Sequence, residues 1–351
     1  MFSNMNMDNI LKYASACYDF DINNIESISS GANKVYKIQK NKQFYYLRIS
    51  ERGFDYISAQ IDWIEYLKSG IRVPEPVLSC NGKLIECFQD NNINFTICLF
   101  SELKGVKWKK SVPCFYNDET YYYWGKVMGR MHCMTKNYRP SEGILSLPRF
   151  EENYNHLSNY RVLPLVQKKM MHIQSEISAL PQDKDSYGLI HCDMQQQNIL
   201  IDGNDIGVLD FDSQYGFFAL DIGIALYHAI WFDLPDSDDR NIFARKIIKQ
   251  FMSGYNTENS LSDFWLNKII LFMQYRQIEA FSWHIGVFKS NGFTAVVYNE
   301  WLGIYFDFKQ YIKNMENGVF LKDAILMKRI FTLQYRGYIH HQQSFTEPNR
   351  G

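Results

Sequence analysis

No two of the seven cysteines (Cys17, Cys80, Cys87, Cys98, Cys114, Cys133 and Cys192) form a C-x-x-C pair, and their number is odd. That pattern argues against a zinc site or a disulfide framework and for buried free thiols, as in a cytoplasmic protein. An excess of charge of one sign is also lacking: 37 Lys and Arg stand against 38 Asp and Glu, a formal net charge of −1. The balance removes the electrostatic ground for a dedicated nucleic-acid binder. The apolar run Ile222–Phe232 is too short for a membrane span, which takes about 20 residues. Met1-Phe2-Ser3-Asn4 has neither the basic start nor the apolar core of a signal peptide. Internal repeats, low-complexity tracts and long charge blocks are absent too. The expectation is a cytoplasmic protein with neither nucleic acid nor membrane as partner.

What the chain has in quantity is aromatic surface: 25 Phe, 24 Tyr and 7 Trp, enough to exclude disorder. At 351 residues it exceeds one ordinary core and fits two lobes. The first hundred residues alternate as short strands. A helix over 8–18 is followed by β-type runs at 25–30, 34–39 and 43–49, the last two joined at Asn41-Lys42. Ile57, Ile61, Ile64 and Leu67 then recur at helical spacing until Gly70. Pro74 and Pro76 keep the next stretch extended, and strands at 83–88 and 93–100 follow, the first entered through Asn81-Gly82. This predicts an antiparallel sheet of about five strands with one inserted helix.

Beyond Glu102 the pattern turns helical, over 119–136, 164–180, 219–232, 240–253, 262–286 and a last group after 294. One compact β insert, 188–212, interrupts it at a turn of Asp202-Gly203-Asn204. The expected fold is therefore α+β. A small antiparallel-sheet lobe over 1–102 joins a larger, mainly helical lobe over 103–351 through a hinge near 101–105.

The stretch that carries chemistry is Leu189-Ile190-His191-Cys192-Asp193-Met194-Gln195-Gln196-Gln197-Asn198-Ile199-Leu200-Ile201. Apolar residues bracket it, so the polar set forms a loop between two buried strands. Twelve residues after Asn198, the apolar run Val208-Leu209 ends in Asp210-Phe211-Asp212. Phosphoryl transfer from a nucleotide needs a carboxylate to orient the attacking hydroxyl and oxygen ligands for Mg²⁺. Asp193 can be the first, and Asn198 with Asp210 the second. Taken singly each has a plain reading, since Asp and Asn favour turns and a lone His is usually a core or turn residue. The combination is what points to chemistry.

His191-Cys192-Asp193-Met194-Gln195-Gln196-Gln197-Asn198 with Leu209-Asp210-Phe211-Asp212 resembles the aminoglycoside phosphotransferase family, relatives of choline kinase with a protein-kinase-like fold. Tyr215-Gly216-Phe217-Phe218-Ala219-Leu220-Asp221-Ile222-Gly223 is similar to the family's continuation, and the small lobe matches in order. The resemblance implies ATP and Mg²⁺ as cofactors, Asp193 as catalytic base and Asn198 and Asp210 as magnesium ligands. Asp221 would brace the loop, and His191 would hold it rather than react. It also implies that Ser30, Gly31 and Asn33, in a loop with one glycine and no G-x-G-x-x-G, reach the phosphates through backbone N–H groups.

Two positions depart from the pattern. Arg48, in Tyr46-Leu47-Arg48-Ile49, stands where a Lys normally pairs with the phosphates; arginine can do so bidentately. Gln60 stands where a Glu normally holds that basic residue, with Glu65 a flanking substitute and Asp62 on the opposite side of the helix. The hinge, with Ser101 and Leu103, would offer backbone groups to the adenine. The acidic cluster Asp233, Asp236, Asp238 and Asp239 reads as a solvated loop leading into a helix. Arg276, Glu279 and Trp283 share a helix face, which reads first as packing and surface pairing, and Trp283 and Tyr305 are candidates to face the acceptor.

The activity so implied is transfer of the γ-phosphate of ATP to a hydroxyl of a small molecule of amino sugar, amino alcohol or amino acid type. Two alternatives stay open. An atypical Ser/Thr protein kinase on the same fold is one, although Asp212 replaces the Gly of D-F-G and no A-P-E occurs. A nucleotide-binding pseudokinase scaffold is the other.

Overall fold

The structure is a computed structural model, and it describes residues 7–29, 33–108, 118–152, 163–231, 238–291, 296–299 and 304–307. The chain divides into two compact units. The first comprises Met1–Val106, Asn137–Leu147 and Gly207–Leu209; the second comprises Lys107–Lys136, Pro148–Ile206 and Asp210–Gly351.

In the first unit, helix α1 (Met7–Tyr18) precedes strands β1 (Ile25–Ser29), β2 (Asn33–Lys40) and β3 (Gln43–Ser50), then helix α2 (Phe54–Leu67). Strands β4 (Pro76–Val77), β5 (Glu86–Asp90) and β6 (Ile93–Ser101) complete a six-stranded antiparallel sheet ordered β1-β2-β3-β6-β4, with β5 also on β6. The sixth strand is Pro76–Val77, too short to announce itself by alternation. Asn41 and Lys42, at φ 52° and 64°, make the tight β2–β3 turn, since positive φ at both central residues matches the strand twist. The β5–β6 hairpin turns at Asn91-Asn92 (φ 48° and 64°), and Asn81-Gly82 makes the turn ahead of β5, with Gly82 at φ 72° and its N–H on the Ser79 carbonyl at 2.9 Å. Asn81 is spent on a buried carboxylate: its Nδ2 donates to Glu86 Oε1 at 2.9 Å, beside Ser79 Oγ at 2.7 Å.

Strand parity divides the sheet into two faces. Leu47, Ile49, Phe95, Ile97 and Leu99 pack with Ile10, Leu11 and Ala14 of α1. Residues of opposite parity, Cys98 and Phe100, pack with Ile57 and Ile61 of α2. Arg48, between Leu47 and Ile49, therefore shares the α2 side with its cross-strand partner Cys98. Asp62 faces away from that core, as its spacing implies, and holds another segment: it accepts Tyr138 Oη at 2.5 Å and Ser141 Oγ at 2.5 Å. This is how Asn137–Leu147 comes to belong to the first unit.

Strand β7 (Val106–Lys107) leads to the second unit, whose helices are α3 (Asp118–Thr135) and α4 (Pro164–Ser178). Next come β8 (Tyr187–Ile190), β9 (Ile199–Asp202), β10 (Asp205–Val208) and β11 (Gln214–Phe217), then α5 (Phe218–Trp231). Helices α6 (Asp238–Tyr255), α7 (Asp263–Leu266) and α8 (Ile269–Asn291) follow. The sequence expectation of one helix over 262–286 is corrected: the chain turns at Asn267-Lys268 between α7 and α8. Of the helical group expected after 294, two described stretches are strands instead, and the remainder lies outside the described residues. Val296–Asn299 (β12) and Ile304–Asp307 (β13) pair antiparallel, in keeping with their β-branched and aromatic residues.

From residue 218 to residue 230 helix α5 is buried on every side except at the half-buried His228, so the described part of the apolar run that begins at Ile222 is a core helix. Helix α3 lies against α6 at backbone contact, because a Cβ on Gly125 would sit 1.9 Å from the Phe251 carbonyl oxygen and one on Gly254 1.8 Å from that of Tyr122. Larger side chains would force the helices apart, and with them the buried residues His132 and Tyr255. Much of the aromatic content fills this unit's core, including Tyr121, Trp124, Phe217, Phe218 and Phe251.

Candidate active site

Buried strand β8 delivers the chain to His191, and β11 pairs antiparallel beside it, with Gln214 opposite Ile190. Between them the backbone reverses through Cys192, whose φ of 68° is a conformation L residues seldom adopt. What holds it there is Asp221, fully buried in the first turn of α5. Its carboxylate accepts the backbone N–H of Cys192 at 2.7 Å and of His191 at 2.8 Å. Nε2 of His132 lies 3.2 Å from the same carboxylate, and His132 Nδ1 lies 3.0 Å from Tyr255 Oη, which accepts Asn259 Nδ2 at 2.8 Å. That chain makes Nε2 the protonated nitrogen of a neutral imidazole, and burial lowers the His132 pKa in the same sense. The brace assigned to Asp221 is thus visible atom by atom.

His191 is itself buried, its ring tilted against Phe211 at a centroid distance of 4.6 Å, and its Nδ1 accepts the Asp193 backbone N–H at 3.2 Å. The Cys192 thiol accepts a hydrogen bond from Gln214 Nε2, and burial pushes its pKa up, so it is not a nucleophile.

Asp193 projects from this fixed loop with its side chain 26% exposed. Asn198, in the helical turn Gln196–Asn198, donates Nδ2 to the Asp193 carbonyl at 2.8 Å and to Oδ2 at 2.9 Å. The amide nitrogen is thereby committed, which leaves Oδ1 as the atom able to meet a cation. Asp210 has φ 53°, is exposed, and makes no hydrogen bond or ion pair among the described residues. Two hard oxygen donors of this kind suit Mg²⁺ or Ca²⁺. Burial holds the Asp193 pKa above the usual carboxylate value despite the neighbouring Arg276 guanidinium.

Two contacts of Asp193 had no sequence signal strong enough to reveal them. Gln195 Nε2 reaches both carboxylate oxygens, at 3.2 and 3.0 Å. Arg276 of α8 donates Nη2 to Oδ1 at 2.5 Å, across 83 residues of sequence. The helix face Arg276–Glu279 is ion-paired at 2.7 Å, while Trp283, on the same helix, is 64% exposed.

In the first unit, Arg48 is 8% exposed, beside Cys98 and with its guanidinium carbon 5.1 Å from the centre of the Phe100 ring. Its Nη2 is buried without a hydrogen-bond partner, an arrangement that leaves a cationic donor unsatisfied. Gln60 is buried on α2, and Glu65 is engaged by Lys68 at 2.6 Å and does not substitute for it. Asn33 opens β2 opposite Ser50; Ser30 and Gly31 lie outside the described residues. At the hinge, the Ser101 N–H is donated to the Glu75 carbonyl at 2.9 Å. The Leu103 N–H has no backbone acceptor among the described residues. Of the acidic cluster, Asp238 and Asp239 open α6, while Asp233 and Asp236 lie outside the described residues.

Residues 24–255 match the model of the phosphotransferase enzyme family. The amicoumacin kinase of Bacillus subtilis (strain 168) is 31% identical over 281 residues, covering 77% of this chain and 82% of that one. A solved amicoumacin kinase in complex with AMP-PNP, Ca²⁺ and Ami superposes with a TM-score of 0.77 at 25% identity, over 93% of each chain. A microcompartment-associated aminopropanol kinase shares the fold, with a TM-score of 0.64 at 18% identity over 79% of this chain and 88% of that one. Among the described residues no helix is long and apolar enough to cross a membrane. The chain belongs to the phosphotransferase enzyme family, with the two-lobed α+β fold of protein-kinase-like enzymes, and it is a kinase whose acceptor is an alcohol group.

Proposed function

We propose that this enzyme moves the γ-phosphoryl group of ATP to a hydroxyl of a small molecule that also carries an amine. The observation that carries the reading is the Asp193 carboxylate, raised in pKa by burial and held on a loop whose backbone is pinned by Asp221. A carboxylate so fixed can orient an acceptor hydroxyl and take its proton as the oxygen meets phosphorus. Asn198 Oδ1 and Asp210 would hold Mg²⁺, which when bound neutralises the phosphate charge. Arg48, with its unsatisfied Nη2, and the backbone of Ser30, Gly31 and Asn33 would hold the phosphates. Leu103 N–H would be the hinge donor to the adenine, with Ser101 supporting the strand end and Gln60 buried on α2, the helix on the Arg48 side of the sheet.

The choice of nucleotide and divalent cation is supported by the related kinase solved with AMP-PNP and Ca²⁺, since both cations take oxygen ligands. The acceptor class is supported by the names of two relatives, an amicoumacin kinase and an aminopropanol kinase. The test is ADP release with ATP and Mg²⁺ over a panel of amino alcohols, amino sugars and amicoumacin. Asp193→Asn should lower turnover by roughly 10²–10⁴ while ATP binding persists. Turnover close to normal in that variant removes Asp193 from the role. A nucleotide-binding scaffold would bind ATP and release no ADP with any of them.

A further inference from the structure

The Asp193 carboxylate accepts four hydrogen bonds: Arg276 and Gln195 on Oδ1, Asn198 and Gln195 on Oδ2. An ionised carboxylate offers about four lone-pair sites, so a hydroxyl can reach it only if one of these donors withdraws. Asn198 is tied twice, to the carboxylate and to the Asp193 carbonyl. Arg276 is held at three points, Nη2 on Asp193 at 2.5 Å, Nη1 on Glu279 at 2.7 Å and Nε on His228 at 3.0 Å. Its side chain is only 15% exposed, and its bond to Asp193 is charge-assisted, a type about twice as strong as a neutral bond. Gln195 offers the weakest contact, one neutral amide split between two oxygens at 3.0 and 3.2 Å.

We propose that Arg276 is a positioning residue for the transfer: it anchors Asp193 throughout, and the acceptor hydroxyl enters by displacing the Gln195 amide. The inference rests on Asp193 as the base. In the step itself, the acceptor O–H proton passes to Asp193 while the acceptor oxygen bonds to the γ-phosphorus. The bond from that phosphorus to the β–γ bridging oxygen breaks, and ADP leaves. Arg276 stays on Oδ1 and fixes the plane of the carboxylate. Gln195 marks the volume that the hydroxyl occupies. Glu279 and His228 act through Arg276, by directing its fork.

The experiment compares Arg276→Met, Arg276→Lys, Gln195→Ala and Asp193→Asn by steady-state kinetics with ATP and Mg²⁺, using the best acceptor of the amine-bearing panel. Where no panel alcohol turns over, the slow transfer to water is read in its place. Arg276→Met should lower kcat by roughly ten- to a hundredfold, as a base misplaced by a fraction of an ångström does, with KM for ATP unchanged. Arg276→Lys, which keeps the charge and one donor, should recover part of that loss. Gln195→Ala should lower the acceptor KM, since a competing donor has gone, and should cost kcat less than Arg276→Met does. Melting temperatures and ATP affinity separate misfolding from misplacement, and if Arg276→Met does not fold, the kcat of Arg276→Lys decides. Wild-type kcat in Arg276→Met overturns the proposal, as does a loss in Gln195→Ala equal to that in Arg276→Met. Asp193→Asn separates the two layers: full activity there defeats the base assignment, and an inactive Asp193→Asn beside a fully active Arg276→Met defeats only the role of Arg276.

Discussion

The Asp221 carboxylate accepts the Cys192 backbone N–H at 2.7 Å, and so holds a non-glycine residue at φ 68° one position before the candidate base. A left-handed residue costs about 1–3 kcal/mol, and a hydrogen bond to a charged group contributes about 1.5–3 kcal/mol. The two bonds to Asp221 are therefore of the size needed to offset the turn.

Asp221→Asn tests that balance. It keeps the shape but turns one carboxylate oxygen into a donor that faces an N–H. Urea unfolding should show a loss of about 1.5–3 kcal/mol, one charged hydrogen bond. Turnover should fall with it, while ATP affinity, read by calorimetry, should be little changed.

Arg48 separates stability from activity. Its buried Nη2 has no partner, and replacing an unsatisfied buried charge by an apolar group of similar length is often neutral or stabilising. Arg48→Met should therefore melt no lower than the parent. Its KM for ATP should rise by about 10–100-fold, the worth of a charged hydrogen bond to phosphate. A lower melting point with an unchanged KM would assign Arg48 to packing.

Asp62 holds a segment that joins the first unit from a distance in sequence, through Tyr138 Oη, Ser141 Oγ and the Ser141 N–H at 3.1 Å. Asp62→Ala should cost about 2–3 kcal/mol, less than the sum of the bonds because the partners regain water. Hydrogen exchange should rise at 138–144 and stay low in α5.

His132 gives stability a pH dependence of known sign. Burial depresses its pKa below the ordinary value of 6.5, so below that pH the unfolded chain binds a proton that the folded chain refuses. Its contribution is complete above about pH 6.5 and is lost as the pH falls towards the depressed folded value, at up to about 1.4 kcal/mol per pH unit. Comparing chemical unfolding of the parent and His132→Gln between pH 5 and pH 8 isolates this slope. Equal slopes in the two proteins would mean that His132 takes up its proton as readily in the folded chain as in the unfolded one.

Several local features were open to reading from residues alone. Asn41-Lys42 closes its hairpin because adjacent residues set a turn, and the α2 face repeats as Ile57, Ile61 and Ile64 because helix periodicity is local. The loop from His191 to Asn198 could be read because its polar residues are close in sequence and flanked by buried strands. Asn81-Gly82 is local in the same way: Gly82, at φ 72°, donates its N–H to the Ser79 carbonyl at 2.9 Å, and the β5–β6 hairpin turns ten residues on at Asn91-Asn92. Strand β11 carries no separate signal because its residues Gln214–Phe217 continue directly into a helix.

By itself the sequence determined the two-lobed α+β plan, the polar loop from His191 to Asn198 between buried strands and the family, because hydrophobic period and short motifs are properties of neighbours along the chain. Only the tertiary structure decided that Arg276 meets Asp193, that Asp221 and His132 form one buried chain beneath the loop, and that Asp62 captures Tyr138 and Ser141. Those partners lie 76 to 89 residues apart. Their meeting depends on how helices dock, down to backbone contact at Gly125 and Gly254, and no local pattern encodes that distance.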